Sequence, residues 1–242
     1  DNHMQFRTNA TERLRITSDG HTLFSGLTTK NDPRNTSGIT VKSTSGVSFQ
    51  NYGLNGSRNW RIRPDDMSRW GDLDFSVSPT ANSATDWPDA ASDKVLTLGY
   101  DGTVTKPRQP AFSAKGTTDA ISAASPLPFD STDYNVGNHY STSTYKFTCP
   151  VSGYYYITCH VVPTGYSNSN QNVELYVQNT AGSRFFLDRK VKTSNYASNN
   201  FSVGGSRIIY AAANDTFCVE FNAISGSPTL EGSSHFGIML MA

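Results

Sequence analysis

The stretch "FTCPVSGYYYITCHV", residues 147–161, packs four aromatic residues, two cysteines, a proline and a glycine into fifteen positions. The Pro150–Gly153 segment carries turn chemistry, and residues 154–161 have strand composition. Side chains in a strand alternate between faces. Tyr155, Ile157 and Cys159 therefore share one face, and Tyr154, Tyr156, Thr158 and His160 share the other. The Cys159 face is expected in the core of a β-sandwich, and the Tyr156 face toward solvent or a neighbouring subunit.

Working outward, further strands are expected near residues 111–114, 145–148, 154–162, 172–178, 184–191, 201–211, 216–223 and 235–241. Many short strands with no helical periodicity point to a two-sheet jelly roll. Before this region the texture differs. "MQFRTNATERLRITSDGHTLFSG" reads as two short strands around an Asp19-Gly20 turn, and "DKVLTLGYDGTVTKP" repeats that plan around Asp101-Gly102. "GVSFQNYG", "NWRIRPDD" and "DLDFSVSP" are brief period-2 segments between them. So few large apolar residues per strand leave a lone chain short of core, which obligate oligomerisation would remedy. Pro107 and Pro110 stiffen the junction. The expected organisation is all-β: a tag-like remnant at 1–4, a β-rich shaft-like domain at 5–105, a linker at 106–110 and a jelly-roll head at 111–242.

Composition narrows the function. Of 242 residues, 20 are Lys or Arg and 20 are Asp or Glu, a formal net charge of zero. Nucleic acid and anionic membranes demand clustered basic residues, so neither is an expected partner. The longest apolar runs, "RIIYAAA" and "FGIMLM", have strand length and no spanning helix is expected. Cys149, Cys159 and Cys218 are odd in number, follow no metal spacing and sit in apolar strand contexts, so buried free thiols are expected. His21, His139, His160 and His235 are scattered singly, which offers no metal cage and no catalytic pair. "PDDMSRWGDLDF" gathers Asp65, Asp66, Asp72 and Asp74 beside Arg61, Arg63 and Arg69; a solvated, charge-paired loop is expected there, in preference to a calcium site or a glycosidase carboxylate pair. Trp60, Trp70 and Trp87 are read as packing between chains of the shaft. No nucleotide or nucleophile motif is present, and the chain reads as non-enzymatic.

Six residues of the second half carry a family resemblance: Phe129, Asn135, Tyr140, Phe147, Gly153 and Tyr155. Their spacing resembles the signature of the globular head of complement component 1q, within the tumour-necrosis-factor-like jelly rolls. "QPAFSA" and "HFGIMLM" resemble its first and last strands. Two further aromatics of the family are replaced by Ile157 and Cys159, and no collagen-like repeat precedes the head. "FRTNATERLRITSDG" resembles segments of tail-fibre and other virion fibre proteins of tailed phages. Together the resemblances imply a homotrimeric virion fibre, on tail or capsid, assembled in the host cytoplasm, with calcium as the one cofactor they admit.

Alternating strand direction puts the short turns "CPVSG", "NTAG" and "AAND" at one end of the sandwich. It puts "PTGYSNSNQ", "KTSNYASNN" and "ISGSPTLEGSS" at the other. These long connections are rich in Ser, Asn, Gly and Tyr, a composition suited to recognition. Tyr166, Asn168, Asn170, Asn195, Tyr196 and Asn199 are the expected contacts to a host cell-surface glycan or protein, or to another virion protein. The competing expectations are a structural trimerisation or capsid-decoration module, a depolymerase tailspike, and a secreted lectin-like head.

Overall fold

A computed structural model describes residues 4–8, 11–16, 22–24, 47–49, 56–64, 71–83, 85–88, 90–166, 171–192, 201–222 and 226–241. The chain divides into two units, Asp1–Thr105 and Lys106–Ala242. Both are all-β among the described residues, apart from one 3-10 turn at Ala91–Asp93.

In the first unit β1 (Met4–Thr8), β2 (Thr11–Ile16) and β3 (Thr22–Phe24) form an antiparallel meander. Met4, grouped with the leading tag in the sequence reading, pairs with Ile16. The two-strand reading of this stretch is corrected to three strands, because the chain reverses between Thr8 and Thr11 as well as between β2 and β3. A second meander follows the order β4 (Val47–Phe49), β5 (Trp60–Pro64), β6 (Leu73–Val77), β7 (Lys94–Leu98), β8 (Val104–Thr105). The Asp101-Gly102 turn joins β7 to β8, with Gly102 at φ +85° in the left-handed region that glycine adopts without strain.

This five-stranded sheet covers its polar side. Cross-strand register puts Arg63, Asp74 and Thr97 on one face and Trp60, Ile62, Leu73, Phe75 and Leu98 on the other. Asp74, Ser76 and Arg63 are buried, whereas Trp60, Leu73 and Leu98 are exposed. Lys94 Nζ lies 2.7 Å from Asp74 Oδ2, and Thr97 donates to Asp74 Oδ1 at 2.6 Å. A buried carboxylate needs such partners, since desolvating it alone is costly. Asp72 Oδ1 accepts the Tyr100 N–H at 3.1 Å. These two aspartates correct the reading of a solvated loop: both are buried and internally bonded, Asp74 lies within β6, and its cation is Lys94 rather than a neighbouring arginine. Asp65, Asp66, Arg69 and Trp70 lie outside the described residues.

The second unit is a jelly-roll sandwich. One sheet has the order β10 (Ser131–Val136), β9 (Ala111–Lys115), β20 (His235–Met241), β13 (Gly153–Val161), β17 (Val203–Ala211). The other has the order β11 (Tyr140–Ser141), β12 (Lys146–Thr148), β18 (Thr216–Phe221), β15 (Gln171–Asn179), β16 (Arg184–Lys192). All eight expected strands are present. The expected strand at 145–148 begins one residue late, because Tyr145 takes φ +56° and turns the chain.

Between the sheets Phe112 stacks on Tyr140 at 4.3 Å and on Phe147 at 5.2 Å, and meets Phe236 edge-on at 5.0 Å. Tyr155, Ile157, Cys159 and Val161 fill the same core, as period 2 predicts. The spaced signature has physical causes. Asn135 grips the turn to Tyr140 from both sides, donating to its carbonyl at 2.8 Å and accepting its N–H at 3.2 Å. The buried Tyr140 hydroxyl donates to Phe129 O at 2.8 Å, and Tyr155 to Val151 O at 2.7 Å. At Gly153 an added Cβ would stand 2.9 Å from Leu240 Cδ1. The three cysteines are buried free thiols, as expected.

Four strands escaped the sequence reading: β10, β11, and the antiparallel ribbon of β14 (Pro163–Tyr166) and β19 (Gly226–Leu230). The ribbon corrects the expectation that "PTGYSNSNQ" and "ISGSPTLEGSS" are wholly loops. It is built mostly from Thr, Ser, Gly and Pro with one large aliphatic side chain, Leu230, in β19, and its Thr164 and Thr229 hydroxyls lie 2.8 Å apart, so no apolar alternation announces it.

Candidate functional site

The two ends of the sandwich separate as strand alternation requires. At one end the Cys149 N–H donates to Asp215 O at 2.8 Å, the Asn214 N–H to Cys149 O at 2.7 Å, and the Thr216 N–H to Thr180 Oγ1 at 2.6 Å. These bonds tie the three short turns together. The chain enters the sandwich at the same end, where Leu240 N–H donates to Pro110 O at 2.9 Å. At the opposite end Ser234 Oγ accepts the Val162 N–H at 2.9 Å, beside the β14–β19 ribbon. Tyr166 closes β14 opposite Gly226. Asn168, Asn170, Asn195, Tyr196 and Asn199 lie outside the described residues.

The outward face of β13 and its neighbours is better defined. In register across the sheet run Val136, Ala111, Met239, Tyr156 and Ile208. Beside them lie Met241, Tyr154 and Tyr210, the last two edge-on at 5.4 Å. Tyr154 is 59% exposed, Tyr210 61%, Ile208 53% and Met239 48%. The exposed side chains of this face thus form a contiguous apolar patch. The Tyr156 face was legible from period 2, but its partners on β17 and β20 come from far along the chain.

Toward the long-connection end the same face turns polar. His160 and His235 stand directly opposite each other, ring centroids 5.6 Å apart and planes within 22°. The reading of the histidines as scattered singly is corrected by this geometry: sheet pairing joins two that sequence separation keeps apart. They border a recess of about 380 Å³ that Thr158, Asp188, Lys190, Ser202 and Ser206 also line.

Elsewhere the ionisable groups look structural. Burial pushes the Cys149 thiol up to about 12 and the Cys218 thiol up to about 11, and raises Cys159 well above its ordinary value. Thiols held protonated in this way are poor nucleophiles and poor metal ligands. His139 packs edge-on to Phe147 at 6.2 Å, and burial lowers its pKa. Asp119 shares a hydrogen bond with Asp130, which raises its pKa, helped by the Asp130 charge. Among the described residues no cluster of three or more His, Cys, Asp or Glu is placed to hold a metal ion, so calcium acquires no ligand set there.

Comparison with known proteins respects the same division. Residues 111–205 match the family model described as "C1q domain". Over 56 residues the chain is 45% identical to "Complement C1q tumor necrosis factor-related protein 5" of Rattus norvegicus, covering 22% of this chain and 23% of that protein. Over 36 residues it is 53% identical to "Complement C1q and tumor necrosis factor-related protein 9" of Mus musculus, covering 15% and 11% respectively. The chain thus spans less than a quarter of the length of these curated relatives. Among solved structures, the globular domain of zebrafish complement 1qA is 20% identical with a TM-score of 0.45, covering 55% of this chain and 98% of that chain. The Eiger TNF of S. frugiperda is 13% identical with a TM-score of 0.46, covering 56% and 94%. The second unit is a two-sheet jelly-roll sandwich in topology and is similar in sequence to the C1q domain over residues 111–205.

Proposed function

We propose that this chain is a non-enzymatic fibre protein of a tailed-phage virion, acting as a homotrimer. Its head binds a host cell-surface glycan or protein through the long connections at the end away from the point where the chain enters. The observation that carries the reading is the exposed apolar face of the β10-β9-β20-β13-β17 sheet, with Tyr154, Ile208, Tyr210, Met239 and Met241 turned outward. Covering such a face with a second copy removes it from water at about 25 cal/mol per Å² of apolar area, the largest stabilisation open to it. The inverted sheet of the first unit supports the same reading, because its exposed Trp60, Leu73 and Leu98 call for a neighbour. The virion assignment rests on the "FRTNATERLRITSDG" resemblance, whereas the C1q-related relatives are proteins of rat and mouse.

Light scattering on the purified chain tests the assembly. A mass near three times 26.4 kDa is expected, and Ile208→Asp, which puts a carboxylate into the face, is expected to yield the single-chain mass. A wild-type monomer sinks the trimer. Tyr166→Ala with Tyr196→Ala is expected to abolish adsorption to the host while leaving the trimer intact. Unchanged adsorption would favour a trimerisation or capsid-decoration role instead.

A further inference from the structure

We propose that His160 and His235 form a chelating pair for a divalent transition-metal ion of zinc, nickel or copper chemistry. The first support is register. The two residues are directly opposed on β13 and β20, on the outward face, with rings stacked at 5.6 Å. Directly opposed residues of an antiparallel pair hold their Cβ atoms about 4.5–5.5 Å apart. A zinc ion sits about 2.0–2.1 Å from each imidazole nitrogen, so the donors must come within roughly 4 Å of each other. Binding therefore requires each ring to turn about its side-chain bonds until one nitrogen of each faces the ion.

The second support is availability. Among the described residues neither imidazole makes a hydrogen bond or ion pair; each ring's partner is the other ring. His139 is the contrast, packed against Phe147 and lying where a Cβ on Gly137 would meet its Nε2 at 2.4 Å. Imidazole nitrogen is a ligand for borderline metals, and two such nitrogens select against calcium and magnesium.

The third support is room. On the β17 side His160 faces Gly204, where an added Cβ would lie 2.6 Å from Cys159 O and 2.9 Å from His160 Cα. The close approach of the strands excludes a side chain there and leaves that flank of His160 open. On the β9 side His235 faces Lys115, whose ammonium lies 3.6 Å from Asp133. Asp188 lines the recess, but its oxygens accept the Arg189 and Gly204 N–H groups at 2.8 and 3.1 Å. Water therefore completes the coordination of an ion held by the two rings, in a recess of about 380 Å³.

Isothermal titration of the full chain with zinc chloride, nickel chloride and calcium chloride at neutral pH tests the pair. Saturable zinc and nickel binding is expected, with no calcium binding that depends on these two residues. His160→Gln and His235→Gln should each weaken zinc binding roughly tenfold or more, at least the loss that even outer partners of a metal ligand cause. His139→Gln should leave it unchanged, and circular dichroism confirms that each variant is folded. Wild-type affinity in the folded double variant, or no saturable zinc binding by the wild-type chain, overturns the proposal. Both ligands come from one chain but lie on the sheet whose outward face the proposed trimer covers, so the titration is repeated on the single-chain Ile208→Asp variant; zinc binding retained there is expected, and its loss would overturn the one-chain pair.

Discussion

Phe147→Ala should remove the central contact of the head. The side chain is fully buried, stacked on Phe112 at 5.2 Å with planes 17° apart and edge-on to Tyr155 at 5.9 Å. Truncating a buried phenylalanine costs about 3–5 kcal/mol through lost transfer energy and the cavity left behind. Ring pairs add about 0.5–1.5 kcal/mol beyond burial, which lifts this site from the low end of that range to near 4 kcal/mol. Unfolding entropy near 2.1 cal/mol/K per residue over the roughly 137 residues of the unit converts this into a Tm drop of about 14 °C. Urea denaturation followed by circular dichroism measures the loss, at fixed protomer concentration because assembly contributes to stability. Phe147→Leu, which keeps most of the volume, should cost less than about 1.5 kcal/mol. A loss below about 1 kcal/mol for Phe147→Ala would refute the claim that this aromatic cluster holds the sheets together.

Lys94→Met should strand the fully buried Asp74 carboxylate and destabilise the first unit by about 3–5 kcal/mol, with Asp74→Asn in the same chain restoring most of it. Tryptophan fluorescence in urea reads this unit selectively, because Trp60, Trp70 and Trp87 all lie within it; a loss under about 1 kcal/mol for the single variant contradicts the pairing. Burial raises the pKa values of Cys149, Cys218 and Tyr155, so the folded state holds these protons more tightly than the unfolded one. The stabilisation is present below the ordinary thiol value of 9.0 and is lost as pH rises above it, toward about 11–12. Denaturation midpoints should therefore fall in alkali, less steeply in Cys149→Ala, and a thiol reagent at pH 8 should label the three cysteines only after unfolding. Rapid labelling of the native chain would rule this out.

Much of the head was legible because its core strands alternate cleanly. Tyr155, Ile157 and Cys159 announce one face, and the eight apolar strands appear where period 2 puts them. The signature residues were legible too, since each meets a local demand: Asn135 bonds the Tyr140 backbone, and Gly153 leaves space for Leu240. The ribbon of β14 and β19 was not, because its stability comes from backbone pairing and a Thr164–Thr229 contact between residues with no apolar pattern. The Asp74–Lys94 pair was hidden for a similar reason: the nearer arginines were the obvious cations, and only the β6–β7 register brings Lys94 to the carboxylate.

The sequence by itself determined which side chains share a face, because alternation is a property of the extended backbone and needs no neighbour. It therefore set the composition of the Tyr156 face and of both sides of the β4–β8 sheet. Only the tertiary structure decided which face is covered, and in the first unit it covered the polar one. It also decided which strands lie side by side, since lateral hydrogen bonding joins segments at any separation along the chain. Tyr154 and Tyr210 meet for that reason, as do His160 and His235, and neither pair exists until β13 lies between β17 and β20.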